Sequence, residues 1–198
     1  INETQSCRII TLEDPVEFVH PNKKCMVIQR EVEADTDSFR EALRRALRQD
    51  PPPGPPGRDH GGQVRDLDSM SLAITAAETG HLVLGTLHTN GAAECIERIV
   101  GIFPADQQEQ VQYQLSIGLA SVIFQSLMPK ADGKDRVAAH EIMVGTSTIR
   151  NLIRQNQIAQ IKSFMFMGGD AGMQTLEQSL SSLVQRELIS REEAYTRS

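Results

Sequence analysis

Apolar residues follow two different spacings along the first half of the chain, and the two spacings alternate. Continuous apolar runs at 7–12 and 81–87 indicate strands, and the second leaves little room for a solvent-exposed face. Apolar residues at helical spacing over 39–47 and 72–79 indicate helices, the second of which ends at Gly80. Strands that alternate with helices predict an α/β fold.

Further along the chain the helical spacing dominates. Asp68 and Asn90 are residues suited to cap the helices that follow them. A long helix is predicted from Phe103 to about Leu127, because apolar residues recur there at helical intervals.

A turn signal, Asp132-Gly133, follows this predicted helix and precedes a strand at 137–144. His140 within that strand is interpreted as a satisfied or exposed histidine, since nothing in the sequence gives it a metal partner. Helical patterns follow the strand. We therefore expect two parts, a sheet-containing core at 1–145 and a helical region at 146–198.

The first candidate for chemistry is Glu13, which stands with Asp14 at the end of the first predicted strand. Open α/β sheets bind ligands at the carboxyl ends of their strands. A carboxylate there can orient a water molecule or hold a magnesium ion through water. An acidic turn without any catalytic role is the alternative interpretation.

Two histidines and a row of arginines are further candidates. His81 and His88 bracket the second predicted strand. Arg44 and Arg48 lie one helical turn apart and can point the same way. These arginines can serve a functional site together, or they can simply form a solvated basic face of the helix. Both interpretations stay open.

The stretch from 51 to 63 does not fit the pattern. It is rich in proline and glycine, and it contains no apolar run. Proline removes donors from a strand ladder and glycine weakens strand packing, so we expect an irregular Pro/Gly loop rather than a central strand.

Composition excludes several classes of function. The chain has 198 residues and a formal net charge of -6, which gives no support for nucleic-acid binding. No apolar run approaches the roughly 20 residues needed to span a bilayer, so no transmembrane segment is expected. The three widely spaced cysteines are predicted to be thiols in a reducing cytoplasm.

Three stretches resemble one known family. The run TAAETGHLVLGTLHT, 75–89, resembles the His box of the secretion and pilus ATPases, which are hexameric P-loop motors, and TLEDPVEF, 11–18, resembles their Asp box. TIRNLIRQ, 148–155, is similar to the AIRNLIRE motif of the branch that retracts type IV pili, with conservative departures at Thr148 and Gln155.

The resemblance implies a RecA-like core, ATP and Mg²⁺ as cofactors, a homo-hexamer, and the inner-membrane pilus platform as partner. It also implies a cytoplasmic position, peripheral to the inner membrane at the pilus base. Glu13 would act on water, and His81 and His88 would sense the nucleotide state or join the active site. The resemblance implies that three arginines lie at the interface between subunits: Arg44, Arg48 and Arg98. The remnant of the Walker B motif would be Gln63, Arg65 and Asp66. The retraction motif would consist of Ile149, Arg150, Asn151, Leu152, Ile153 and Arg154.

The chain also departs from the family. It contains no GxxxxGK[ST] phosphate loop, and Gln63 stands where the family has glutamate after an apolar Walker B strand. A local frameshift is one hypothesis for 51–63. One possible set of codons for residues 57–62, read one base further along, encodes Asp-Val-Ile-Met-Val, which would form an apolar Walker B strand. The isolated chain is therefore expected to be catalytically inactive. A type II secretion or pilus extension ATPase and a non-catalytic fragment that docks into a hexamer remain as alternatives.

Overall fold

A computed structural model describes residues 1–32, 34–36, 38–48, 58–63 and 66–197. The chain forms two compact units, Ile1–His88 and Thr89–Ser198. This division lies elsewhere than the boundary predicted near residue 145.

The first unit is built on a four-stranded sheet. Its strands are β1 (Arg8–Glu13), β2 (Met26–Glu31), β3 (Arg58–Gln63) and β4 (Leu82–Thr86). They lie in the order β2-β1-β3-β4, and every neighbouring pair is parallel. All four carboxyl ends therefore meet at one edge of the sheet.

Two helices belong to this sheet, α1 (Phe39–Arg48) and α2 (Leu67–Glu78). A small apolar core joins β1 to α1, because Ile10 and Leu12 pack with Ala42 and Leu43. The N-cap of α2 is Asp66, whose carboxylate accepts hydrogen bonds from the backbone N and the Oγ of Ser69 at 2.8 and 2.7 Å. The prediction that Asp68 caps this helix was therefore wrong by two residues.

The prediction that 51–63 forms no strand is wrong for 58–63. That segment is β3, and it pairs with β1 on one side and β4 on the other. Residues 51–57 lie outside the described part of the chain. Without β3, the facing backbone groups of β1 and β4 would lack their ladder partners, and unpaired buried backbone groups are costly.

The prediction that 81–87 is a fully buried strand is also wrong. In the described sheet β4 lies at the edge, where Leu84 is 43% exposed and Gly85 and Thr86 are exposed. A continuous apolar run does not report which side of a strand has a neighbour. The prediction of a left-handed residue at the end of α2 is confirmed, since Gly80 has φ of +96°.

The second unit begins with helices α3 (Ala92–Gly101) and α4 (Ala105–Gly118). Gly91, not Asn90, occupies the N-cap position of α3. The predicted helix to Leu127 was wrong in its second half. The helix ends at Gly118, and β5 (Ser121–Pro129) begins three residues later. Exposed and less exposed residues alternate along most of β5, as is typical of a strand with one covered face.

Strand β5 pairs in antiparallel register with β6 (Arg136–Val144) across the predicted turn, where Gly133 has φ of +69°. Residues Met128 and Ala139 of this hairpin pack with Leu180, Leu183 and Ile189. The described residues after β6 form α5 (Ser147–Arg154), α6 (Ile161–Met167), α7 (Leu176–Gln185), α8 (Arg191–Arg197) and the 3-10 turns Ile158–Gln160 and Gly169–Ala171.

Candidate functional site

The carboxyl edge of the four-stranded sheet gathers most of the sequence-predicted chemistry. Glu13 ends β1, Gln63 ends β3, and His88 follows the end of β4 by two residues. Gln63 is in register with Thr86, and Leu12 is in register with Gly61. Parallel pairing thus places these residues at one edge, as expected for a ligand site of an α/β sheet.

The carboxylate of Glu13 is held in place by hydrogen bonds. Its Oε1 accepts the hydroxyl of Thr11 at 2.7 Å and the side-chain amide of Gln29 at 2.9 Å. Partial burial acts to raise the pKa of Glu13, but bonds from Thr11, Gln29 and the backbone of Glu17, together with the charge of His20, hold the pKa below its usual value. Glu13 is therefore an oriented carboxylate that stays ionised.

Gln29 is a site residue that sequence reasoning missed. Its amide nitrogen also donates to the carbonyl of Phe18 at 2.9 Å, and its amide oxygen accepts the backbone N–H of His20 at 2.6 Å. Gln29 on β2 is in register with Thr11 on β1, so strand pairing brings it to Glu13. No local pattern marks a glutamine in an edge strand, and only the register of β1 and β2 reveals it.

The two histidines lie at opposite ends of β4. His88 is exposed and follows the strand at the same edge as Glu13. His81 precedes the strand, and its Nδ1 lies 3.1 Å from the hydroxyl of Thr79 and 3.2 Å from the carbonyl of Ala76 at the end of α2. A strand of five residues spans about 17 Å, so the sheet does not bring His81 together with Glu13.

The predicted Walker B remnant divides into separate parts. Gln63 is the last residue of β3, and Arg65 lies outside the described residues. Asp66 serves as the cap of α2: partial burial acts to raise its pKa, but the bonds from Ser69 keep it below the usual value. A helix N-terminus favours a negative charge, so this ionised cap stabilises α2.

The predicted interface arginines lie on two helices. Arg44 is exposed on α1, and Arg48 is the last residue of that helix. Arg98 is exposed in the last turn of α3 in the second unit. Its charge opposes the effect of burial on Cys95, whose pKa is raised to about 11.

The predicted retraction motif forms α5, and its residues have different surroundings. Ile149, Leu152 and Ile153 are buried. Arg150 donates from Nε to the carbonyl of Gly145 at 2.6 Å and from Nη1 to the carbonyls of Ser116 and Ile117 in the last turn of α4. A cation at a helix C-terminus is favourable, so Arg150 fixes α5 to α4.

Asn151 and Arg154 are the exposed residues of the same motif. These two residues lie about one helical turn apart, so they share one face of the helix. The motif therefore combines a buried apolar face with an exposed polar face.

A second residue missed by sequence reasoning is Glu141 on β6. It is only 8% exposed, and its Oε1 accepts the backbone N–H of Ala92 at 2.7 Å. The carboxylate thus satisfies the N-terminus of α3, where Gly91 offers no side-chain cap. A Cβ at Gly91 would come within 3.2 Å of the same oxygen, so the close approach favours glycine there.

Within the described part of the chain, no group of three or more His, Cys, Asp and Glu residues is arranged to hold a metal ion. The same part of the chain contains no helix both long and apolar enough to cross a membrane.

The chain is similar to known proteins over nearly its whole length. The family model described as "Type II/IV secretion system protein" matches residues 1–194. The chain is 54% identical over 194 residues to the "Type IV pilus retractation ATPase PilT" of Pseudomonas aeruginosa, covering 98% of this chain and 55% of the relative. It is 51% identical over 197 residues to a "Twitching motility protein" of Neisseria gonorrhoeae, covering 100% of this chain and 51% of the relative.

A solved structure is also similar throughout the chain. The "Crystal Structure of the Pilus Retraction Motor PilT and Bound ADP" matches with a TM-score of 0.89 and 49% identity, covering 100% of this chain and 54% of that chain. The chain spans about half the length of the curated relatives it matches. These similarities confirm the predicted α/β fold and the predicted resemblance to pilus retraction ATPases.

Proposed function

Because the chain belongs to the type II/IV secretion system protein family, we propose that it is part of a hexameric motor ATPase that powers type IV pilus retraction and twitching motility. The observation that carries this proposal is its similarity, over nearly its whole length, to a protein named as a pilus retraction ATPase. The oriented carboxylate of Glu13 at the carboxyl edge of the sheet supplies the matching chemistry.

The proposed cofactors are ATP and Mg²⁺. The edge of the sheet presents a carboxylate with a lowered pKa, while the described residues build no cluster of three ligands. Mg²⁺ keeps several waters and binds together with phosphate oxygens, so Glu13 would reach the ion only through a water molecule. The bound ion would neutralise charge on the phosphates during transfer.

In this proposal Glu13 orients the attacking water. The bonds from Thr11 and Gln29 fix the position of Oε1 and lower the pKa of this carboxylate, which is ionised at neutral pH. Positioning and electrostatics supply most of the catalysis in phosphoryl transfer, so a fixed acceptor for the water's hydrogen bond is what the reaction needs.

His88 would join the nucleotide site from the same edge. His81 would report the nucleotide state through α2, since its ring contacts the last turn of that helix at the opposite edge. Arg44, Arg48 and Arg98 would face the nucleotide of a neighbouring subunit in the hexamer, where a planar guanidinium suits phosphate oxygens.

The motor would work in the cytoplasm at the base of the pilus, peripheral to the inner membrane and in contact with the inner-membrane pilus platform. The exposed polar face of α5, Asn151 and Arg154, is available for such a contact. The buried face of α5 holds the helix in the second unit.

The 198 residues by themselves are proposed to be inactive, because they contain no GxxxxGK[ST] loop and Gln63 replaces the glutamate of the family. These two features favour the second candidate, a non-catalytic fragment that docks into a hexamer. Magnesium-dependent ATP turnover and nucleotide binding by the purified chain test this point. Turnover at a rate typical of the family would refute the inactivity.

A chimera tests the motor function itself. This chain, carrying Gln63→Glu, replaces the matching 55% of the Pseudomonas aeruginosa relative in a strain that lacks its own copy. We expect twitching to return, and to be weaker when Gln63 is kept. Restored pilus extension or protein export without retraction would instead favour the extension or type II secretion ATPases.

In the same chimera Glu13→Gln tests the catalytic assignment. Turnover should fall by about 10²–10⁴-fold while ATP affinity is kept, because the water loses its acceptor whereas the phosphate contacts remain. Glu17→Gln is the control, since Glu17 donates to Glu13 from its backbone, which this substitution keeps. An unchanged kcat would mean that Glu13 is a turn residue.

The retraction motif can be tested on its two faces. Leu152 is only 5% exposed, so Leu152→Ala should cost about 2–5 kcal/mol of stability. The double variant Asn151→Ala with Arg154→Ala should keep the fold and ATP turnover but reduce retraction. Full retraction by this double variant would place the motif's function in its buried face.

A further inference from the structure

Two cysteines lie side by side where β1 and β2 begin. The Sγ atoms of Cys7 and Cys25 are 3.2 Å apart. The residues that follow them, Arg8 and Met26, are the first register pair of the two strands, and the N–H of Met26 donates to the carbonyl of Cys7 at 3.0 Å. The two cysteines are thus neighbours across the start of a parallel ladder, although they are far apart in sequence.

This arrangement suits a disulfide bond. Adjacent strands lie about 4.8 Å apart, within the Cα separation of about 4.4–6.8 Å that disulfides adopt. A disulfide has sulfurs about 2.05 Å apart, so the two Sγ atoms need to approach by only about 1.2 Å, which side-chain rotation can supply.

The surroundings of the two thiols differ. Cys25 is 2% exposed, its Sγ donates to the carbonyl of Gln5 at 3.0 Å, and its backbone N–H donates to Oδ1 of Asn2 at 3.2 Å. Cys7 is half-buried. An external disulfide can therefore reach Cys7, while Cys25 is held close enough to attack from the inside.

Cys95 in α3 offers a contrast within the same chain. It is buried, and burial raises its pKa to about 11, so very little thiolate exists at neutral pH. The thiolate is the reactive form, so the raised pKa makes Cys95 a poor nucleophile. Cys25 differs from Cys95 in that its Sγ lies 3.2 Å from the sulfur of a second cysteine.

We propose that Cys7 and Cys25 are a redox modification site and form a reversible intramolecular disulfide by exchange with a low-molecular-weight disulfide such as oxidised glutathione. The Cys7 thiolate attacks one glutathione sulfur, forming a mixed disulfide and releasing one glutathione thiolate. The Cys25 thiolate then attacks the Cys7 sulfur and releases the second glutathione. Two protons leave the protein thiols, and two electrons reduce the glutathione disulfide.

The bond would close a loop around residues 8–24, which contains Glu13, and would fix the amino end of the edge strand β2. That strand carries Gln29, the hydrogen-bond donor to Glu13. Oxidation would thus attach the edge strand to β1 at the end opposite the carboxylate. A cross-link restricts the unfolded chain, so the oxidised protein should resist unfolding more than the reduced protein.

The test uses the 198-residue chain equilibrated in a series of reduced and oxidised glutathione ratios, then quenched with acid and labelled with a maleimide under denaturing conditions. By mass spectrometry, we expect the oxidised form to have lost two hydrogen atoms and to carry one maleimide label, whereas the reduced form carries three. Digestion of the oxidised form should yield two peptides joined by a disulfide between Cys7 and Cys25. Half of the chain is oxidised at a particular ratio of the squared concentration of reduced glutathione to the concentration of oxidised glutathione. This ratio should be at least about tenfold higher for the native chain than for the same chain in urea.

Cys95→Ser is the matched control and should leave the glutathione ratio at half-oxidation unchanged. Cys7→Ser should abolish the two-hydrogen loss, and Cys7→Ala serves the same purpose if the serine variant fails to fold. A native chain that resists oxidation where the unfolded chain is oxidised would overturn the proposal. A stable glutathione adduct on Cys7, or a bond that involves Cys95, would overturn it as well.

Discussion

The strands β1 and β3 are neighbours in one parallel sheet, yet their sequences have opposite character. β1 contributes Ile9, Ile10, Thr11 and Leu12, all of which are buried. β3 has the sequence RDHGGQ, in which no residue is apolar except glycine, and it is paired on both sides. Interior strands of parallel sheets are usually rich in Val, Ile and Leu.

The difference separates two contributions to a sheet. Backbone hydrogen bonds can form along any non-proline sequence, and both edges of β3 are satisfied by β1 and β4. Apolar burial depends on the side chains, and β1 provides it together with α1. The register of β3 with β4 shifts between His60 and Gln63, so the pairing itself is less regular there. We therefore expect β1 to stabilise the sheet far more than β3 does.

The largest expected effect comes from removing the apolar contribution of β1. Leu12 is 2% exposed and packs in the core with Leu43, so Leu12→Ala should lower the free energy of unfolding by about 2–5 kcal/mol. Urea denaturation of both proteins measures the loss. The matched control is Leu84→Ala on β4, where a 43% exposed leucine should cost clearly less. Equal losses at the two positions would contradict the comparison.

The next effect comes from giving β3 the residues that its position favours. Replacing Asp59, His60 and Gly61 with Val, Ile and Val should raise the free energy of unfolding by about 2 kcal/mol, since β-branched residues favour strands. At about 2–4 °C per kcal/mol, a thermal melt resolves this change.

Gly61→Ala alone is the control, because it reports the backbone entropy of glycine without a large apolar side chain. An equal or lower melting temperature for the triple variant would mean that polar residues suit this strand. In that case the frameshift hypothesis for 51–63 should be abandoned.

A smaller effect concerns the carboxyl end of β1. Gln29→Leu removes one of the hydrogen bonds that lower the pKa of Glu13, so this pKa should rise toward its usual value. A group with a lowered folded-state pKa adds stability above its unfolded-state pKa and loses it as pH falls through the folded-state value. The variant should therefore be less stable at neutral pH, and the part of the deficit that depends on the charge of Glu13 should fade in acid.

NMR titration of the Glu13 carboxyl carbon measures the pKa directly. Gln125→Leu is the control, because its amide contacts His140 on the hairpin of the second unit. A Glu13 pKa that is unchanged in Gln29→Leu would show that burial and the Thr11 hydroxyl alone set it.

The smallest effect is expected on the outer face of α1, the helix that packs on β1. Arg45 and Glu41 form an exposed ion pair at 2.9 Å, one helical turn apart. Arg45→Ala should cost only about 0.3–0.5 kcal/mol, and the difference should shrink in high salt. A loss as large as that of Leu12→Ala would mean that the surface of α1, rather than its core contacts, stabilises β1.

Local signals in the sequence were sufficient for a number of features. The strand β1, the left-handed Gly80 and the turn at Gly133 were all predicted and are confirmed. The buried face of α5 also follows from its spacing of apolar residues. Such features depend on residues within one or two turns of each other, so their physical cause is written in adjacent positions.

The sequence by itself therefore determined the α/β class, the family resemblance and Glu13 as a candidate residue. Only the tertiary structure decided that RDHGGQ pairs as a strand, that β4 is exposed at the edge, that a strand follows α4 at Ser121, and that Gln29 reaches Glu13. Each of these depends on a partner far away in sequence, because strand pairing and side-chain contact are set by the neighbour across the sheet and not by the residue's own pattern.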